Sequence, residues 1–185
     1  MPRKVLPRGY FERPTLEVAR DLLGKYLLRH DGDGTRRAGR IVEVEAYIGG
    51  EDLACHASKG RTKRTEVMFG PAGIAYVYLI YGMYHCLNVV TEKEGFPAAV
   101  LIRAIETDGM RIDGPGKLCR DFKIDRSHNY HDLTGGKVLW IEDRGERCPD
   151  FSIVTGPRIG VDYAGAWARK PWRFLLQSNL KKSKA

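Results

Sequence analysis

Between residues 67 and 91 the chain carries no Asp, Glu, Lys or Arg, and tyrosines stand at 76, 78, 81 and 84. A membrane-spanning helix needs about 20 apolar residues with unbroken helical hydrogen bonding. Here Gly70-Pro71, Gly73 and Gly82 interrupt the run, and His85 and Asn88 would be costly in lipid. The β-branched and aromatic residues instead predict two strands, over 75–80 and 86–90, joined by a turn at Tyr81-Gly82-Met83-Tyr84. Turns are exposed by default. Either large aromatic and apolar side chains stand in water at the tip, or the tyrosines fold back onto the body as core. On a chain with 31 Lys+Arg, 23 Asp+Glu and a net charge of +8, the first arrangement would make a wedge for nucleic acid.

At 185 residues the chain is expected to form one domain over 1–185, with a basic, disordered tail from about residue 178. Hydrophobic content of 43% and charged content of 29% are those of a soluble globular protein, with no membrane association expected. The first eight residues are basic but lack the apolar stretch of a secretory signal. The four cysteines (55, 86, 119 and 148) form no CxxC pair and read as free thiols of a reducing compartment. That compartment would be the cytoplasm of a prokaryote or the nucleus of a eukaryote.

Positive charge is clustered. Lys59, Arg61, Lys63 and Arg64 share one short segment, and from Arg169 onward there are six basic residues and no acid. Such clusters attract phosphate backbones or anionic surfaces; a solvated loop and tail is the alternative, and it is preferred for 181–185.

Thr15 is predicted to cap a helix running to about His30, with Leu16, Ala19, Leu22, Leu23, Tyr26 and Leu27 as its apolar stripe and Asp31-Gly32-Asp33-Gly34 as its stop. Further strands are predicted over 40–47, 98–105, 138–142 and 153–154, and Gly114-Pro115-Gly116 opens a short helix through about Phe122. Residues 48–73 read as a loop that holds the basic cluster and has room for one helical turn. Strands close in sequence with few helices between them predict a mainly antiparallel α+β fold.

Residues 41–47 alternate strictly, so Glu43, Glu45 and Tyr47 share one strand face while Val42, Val44 and Ala46 share the other. Two carboxylates and a tyrosine on one face form either a solvated surface or the wall of a polar site. Arg103 favours the second, because it lies mid-strand where an unpaired charge would be expensive to bury. Glu43 or Glu45 is the natural partner, and a carboxylate beside arginine is expected to stay ionised, as a base that activates water must. Other chemistries fail on spacing. Neither Gly114-Pro115-Gly116-Lys117 nor Gly135-Gly136-Lys137 completes a phosphate loop, His128 and His131 lack companion ligands, and no GxSxG elbow exists. Any enzyme here is expected to need no metal and no cofactor.

These residues together resemble the alkyladenine (methylpurine) DNA glycosylase family. The resemblance runs over nearly the whole chain, through 10–15, 21–25, Arg40-Ile41-Val42-Glu43-Val44-Glu45-Ala46-Tyr47, 64–73, Tyr76-Val77-Tyr78-Leu79-Ile80-Tyr81-Gly82-Met83, Asn88, 101–104, 114–118 and 168–171. It implies a curved antiparallel sheet with surrounding helices and a protruding hairpin that enters the DNA minor groove. It implies excision of alkylated or deaminated purines from duplex DNA (3-methyladenine, 7-methylguanine, with hypoxanthine and ethenoadenine as further candidates) by a monomer that leaves an abasic site. Glu45 matches the glutamate that activates water, Arg103 an arginine beside that water and a phosphate, and the Ile159 carbonyl a further water contact. Tyr47, His56 and Tyr78 match the residues around the flipped base, and Asn88 the one that disfavours guanine. Tyr81, flanked by Gly82 and Met83, matches the minor-groove wedge; Arg61, Lys63, Arg64 and Lys117 are candidate DNA contacts by their charge. Lys63 and Ala57 depart from the proline and serine common in relatives, which leaves the lesion preference open. The competing expectation is a non-catalytic duplex-binding module, in which Glu45 and Arg103 form a structural ion pair; a role on RNA is a weaker one.

Overall fold

The computed structural model describes residues 3–146, 148 and 152–177. In chain order its main elements are β1 (Lys4–Val5), α1 (Arg8–Phe11), α2 (Thr15–Leu22), β2 (Tyr26–His30) and β3 (Arg36–Ile48). β4 (Ala75–Ile80), β5 (Tyr84–Val90), β6 (Ala98–Thr107), β7 (Met110–Asp113) and α3 (Pro115–Asp121) follow, then β8 (Leu139–Asp143), β9 (Ile153–Gly156) and β10 (Arg173–Leu176). The strands make one 10-stranded sheet with the path β1-β8-β2-β3-β6-β5-β4, and β7 and β10 join at β6 and β3. Every pairing is antiparallel. This is the mixed α+β class that the order of strands predicts.

β3 organises the molecule. Its first part, Arg36 to Arg40, pairs with β2, and Glu43 to Glu45 pair with β10, while β6 follows the opposite edge from Arg40 to Ile48. Glu43 and Glu45 therefore lie on a stretch that is hydrogen-bonded on both edges. The β3–β6 register slips twice here: Ile41 faces Ile105, Glu43 faces Ala104 and Val44 faces Ile102. Val42 is the extra residue on one strand and Arg103 on the other. Bulges of this kind re-aim side chains, and here they bring Arg103 toward the two carboxylates.

The apolar face of the sheet (Val44, Ala46, Leu87, Val89, Ile102, Ala104) packs against Val18, Ala19 and Leu22 of α2, Leu118 of α3 and Phe122 just after it. The predicted loop 48–73 contains two single turns of 3-10 helix, His56–Lys59 and Glu66–Phe69, whose Ala57, Val67 and Met68 cover Tyr76, Val90 and Ala99 in a second cluster.

One prediction is corrected. The helix from Thr15 ends at Leu22, not near His30, and residues 26–30 are a strand. Leu23 is extended, Gly24 has a φ of 83° at a point where a side chain would collide with Cys148, and the Gly24 N–H donates to the Ile41 carbonyl. Tyr26 to Arg29 find strand partners on both sides, in β3 and β8. That ladder outweighs a helical stripe only a few residues longer. The Asp31-Gly32-Asp33-Gly34 turn exists, but it joins β2 to β3. β1, β7 and β10 were not anticipated. The expected disordered tail at 178–185 lies outside the described residues.

Candidate active site

Neither Glu43 nor Glu45 faces solvent: Glu45 is 0% exposed and Glu43 4%. The Glu45 carboxylate is held from three directions. The Tyr47 hydroxyl donates to Oε2 at 2.8 Å, the Ile159 N–H donates to Oε1 at 2.8 Å, and Arg103 Nε stands 3.5 Å from Oε1. Glu43 gathers three arginines, with Arg103 Nε and Arg173 Nη1 each 3.2 Å from Oε1 and Arg111 Nη2 2.7 Å from Oε2. Both candidate carboxylates thus reach Arg103, and Glu43 is the nearer.

Burial pushes the Glu45 carboxyl above its ordinary value of 4.5, against the downward pull of Arg103, the Ile159 amide and the Tyr47 hydroxyl; Glu43 adds a further upward push. Desolvation is thus the largest effect on this carboxyl, ahead of the arginine that the sequence singled out. The Tyr47 hydroxyl is raised too, first by burial and then by the Glu45 charge, so it remains a donor.

Beside Tyr47, Arg103 and Ile159, the partners of Glu45, lies a cavity of about 120 Å³ whose lining also includes His56, Tyr78 and Asn88. An engineered cavity of about 150 Å³ admits benzene, so this space is on the scale of an aromatic ring, and its mouth adds room. The His56 ring meets Tyr78 edge-on at 4.6 Å, and its Nδ1 lies 2.9 Å from the Tyr76 hydroxyl. Burial, then Arg64 and Lys59, lower the His56 imidazole to about 4, so it is neutral at physiological pH. Asn88 is buried, and its amide donates to the Tyr76 carbonyl at 3.1 Å. Six of the seven residues singled out for catalysis or base binding line this pocket; Glu45 does not, and adjoins it through Tyr47, Arg103 and Ile159. At Ile159 the contact to Glu45 is made by the N–H, and the residue is 50% exposed.

The β4–β5 hairpin stands beside the pocket. At its tip Tyr81 is 81% exposed and Met83 65%, and Tyr81 takes a φ of 53°, rare for a non-glycine residue, followed by Gly82 at 70°. Of the two arrangements open from the sequence, the tip takes the exposed one, while Tyr76 and Tyr78 turn inward. All four flanking basic residues, Arg61, Lys63, Arg64 and Lys117, are exposed; Arg61 also lies over the Phe69 ring at 4.8 Å and Arg64 over Tyr78 at 5.1 Å.

Sequence reasoning missed Asp52 and Arg158, a buried ion pair behind Tyr47. Their 106-residue separation leaves no local signal. His128 pairs with Asp125 and His131 with the Leu139 backbone. Among the described residues no group of three or more His, Cys, Asp or Glu converges on one point, and no helix is long and apolar enough to cross a membrane.

Residues 9–180 match the family model of methylpurine-DNA glycosylase, and the chain belongs to that family. It is accordingly a DNA glycosylase, a hydrolase of the N-glycosidic bond. A protein of Myxococcus xanthus, provisionally named a 3-methyladenine DNA glycosylase, is 54% identical over 184 residues, covering 97% of this chain and 93% of the relative. Proteins given the same provisional name in Legionella pneumophila (strain Lens) and Methanocella arvoryzae are each 56% identical, over 94% and 92% of this chain and 95% and 91% of their own length.

Proposed function

We propose that the protein excises 3-methyladenine and related N-alkylated purines from duplex DNA, with Glu45 activating the water that attacks the sugar. The observation that carries this reading is a fully buried carboxylate, held by two hydrogen bonds and an ion pair to Arg103, whose partners Tyr47, Arg103 and Ile159 line an aromatic pocket. Water oxygen bonds to C1′, its proton passes to Glu45, and the bond to the base breaks with its electron pair leaving on the base. General-base help is worth about 10²–10⁴ in rate, and the carboxylate also offsets positive charge developing on the sugar. Arg103, and the Ile159 carbonyl at the rim, would hold the water.

Taking the nucleotide out of the stack costs roughly a few kcal/mol, least for damaged pairs. Stacking on Tyr47 and Tyr78 offsets about 1–3 kcal/mol per contact. An alkylated purine carries positive charge, which aromatic faces attract, and it departs as a neutral base without an acid. Neutral His56 adds no cation against it. Asn88 would exclude guanine through its exocyclic amine. Tyr81, Gly82 and Met83 would fill the gap left in the minor groove, and Arg61, Lys63, Arg64 and Lys117 would contact phosphates. Among its described residues the pocket lining includes no lysine. A Schiff base therefore has no amine there, and the product is an abasic site on an uncut strand, made by one chain per lesion.

The test is free-base release from methylated duplex DNA, in EDTA, by wild type and Glu45→Gln side by side. Release of 3-methyladenine by wild type only supports the reading. No release by either, with tight duplex binding, would leave a binding module instead.

A further inference from the structure

If Glu45 is the base, its performance depends on Tyr47 and the Ile159 amide staying where they are. Both adjoin one ion pair. Arg158 forks onto Asp52, Nη1 to Oδ2 at 2.5 Å and Nη2 to Oδ1 at 2.8 Å, and both side chains are 0% exposed. Nη1 also donates to the Ala46 carbonyl at 2.9 Å and Nη2 to the Trp167 carbonyl at 3.1 Å. Asp52 in turn accepts the Ile48 N–H at 3.2 Å and the Ala54 N–H at 3.1 Å. The backbone on either side of Tyr47 is thereby tied to the pair, at Ala46 through the arginine and at Ile48 through the aspartate. The guanidinium also lies over the Tyr47 ring at 4.8 Å and the Trp172 ring at 5.0 Å. The residue after Arg158 is Ile159, whose N–H reaches Glu45.

Stability is a poor account of such a pair. Desolvating two ions offsets much of their attraction, and Arg158 Nε is buried without a hydrogen-bond partner. What the pair supplies is orientation. We propose that Asp52 and Arg158 are positioning residues for base excision: together they hold the Tyr47 hydroxyl and the Ile159 amide on Glu45 and so keep the carboxylate aimed at the sugar. This rests on Glu45 being the base.

The proposal has a signature that a purely structural role lacks. The other groups facing Glu45 are Arg103 and Cys86 from β6 and β5, and Glu43 from β3, with Arg173 opposite it on β10. None of these is held by Arg158. Loosening the pair removes two donors that favour the ionised carboxylate and leaves burial and Glu43 unopposed on that side. The rate should therefore suffer most at low pH and recover at high pH.

The experiment measures single-turnover base release against pH for wild type, Glu45→Gln, Arg158→Lys and Asp52→Asn, with melting and duplex binding in parallel. Arg158→Lys keeps the charge and loses the fork. Folded protein with duplex binding retained should release base about tenfold or more slowly near pH 6. Its acid limb should move up by about half a pH unit or more, with the deficit narrowing toward alkaline pH. A folded variant with wild-type rate and limb overturns the proposal, and so does a loss that is uniform with pH. Should Arg158→Lys not fold, Trp172→Leu removes one face from the guanidinium at a partly buried residue; the same direction at about threefold is expected, and an unchanged profile overturns it. Wild type without release, or Glu45→Gln with it, sinks the catalytic reading itself, and the positioning role falls with it.

Discussion

Glu45 is buried at a point where its charge is disfavoured, and its neighbours only partly reverse that penalty. The signs follow. The base works ionised, so activity should fall as pH drops through a value above the ordinary 4.5, visible as a raised acid limb in kcat/KM. The same raised value means that the fold binds this proton more tightly than the unfolded chain. Its contribution to stability is present below the unfolded value and lost as pH rises through the folded one. Glu45→Gln should accordingly cut release by about 10²–10⁴, keep duplex binding, and melt higher than wild type at neutral pH. His56 is the opposite case, lowered from 6.5 to about 4 by burial. Its contribution is present above 6.5 and lost as pH falls toward 4, and its ring resonances should hold still down to about pH 5 in an NMR titration. At this scale the sequence exposed Glu45, Tyr47 and Arg103, because strand alternation and a mid-strand charge are local signals. It could not expose Asp52 and Arg158, which become partners only through the fold.

Between residues and the whole molecule stand the bulged β3–β6 pair and the β4–β5 hairpin. The hairpin was legible because β-branched and aromatic residues flank a glycine turn. The bulge was not: strict alternation in 41–47 predicts a plain ladder, and the slips at Val42 and Arg103 arise from pairing with β6. The helix after Thr15 was misjudged for a similar reason, since strand partners for 26–30 lie 6 to 14 residues away in β3 and 110 to 116 away in β8. The hairpin tip carries its own prediction. Tyr81 is 81% exposed, so Tyr81→Ala should leave melting unchanged. It should lower kcat/KM on duplex substrate by about tenfold and much less on a single strand, where no stack must be held open. Equal losses on both substrates would contradict the wedge.

Over the whole molecule, an excess of eight positive charges makes binding to DNA depend on salt. Replacing Arg61, Lys63 and Lys117 together with alanine should reduce the slope of log affinity against log salt by about three, uniformly across lesions, with the chemical step unchanged. An unchanged slope in a salt titration would remove these residues from the interface. The sequence by itself determined the charge balance, the α+β class, the β4–β5 hairpin and the residue types that meet in the pocket, because composition, strand alternation and turn chemistry are written over a few neighbouring positions. Only the tertiary structure decided that both carboxylates are buried, that Glu43 gathers three arginines and that Arg158 stands behind Tyr47. Desolvation and ion pairing depend on what distant segments close over a residue, and no local pattern records that.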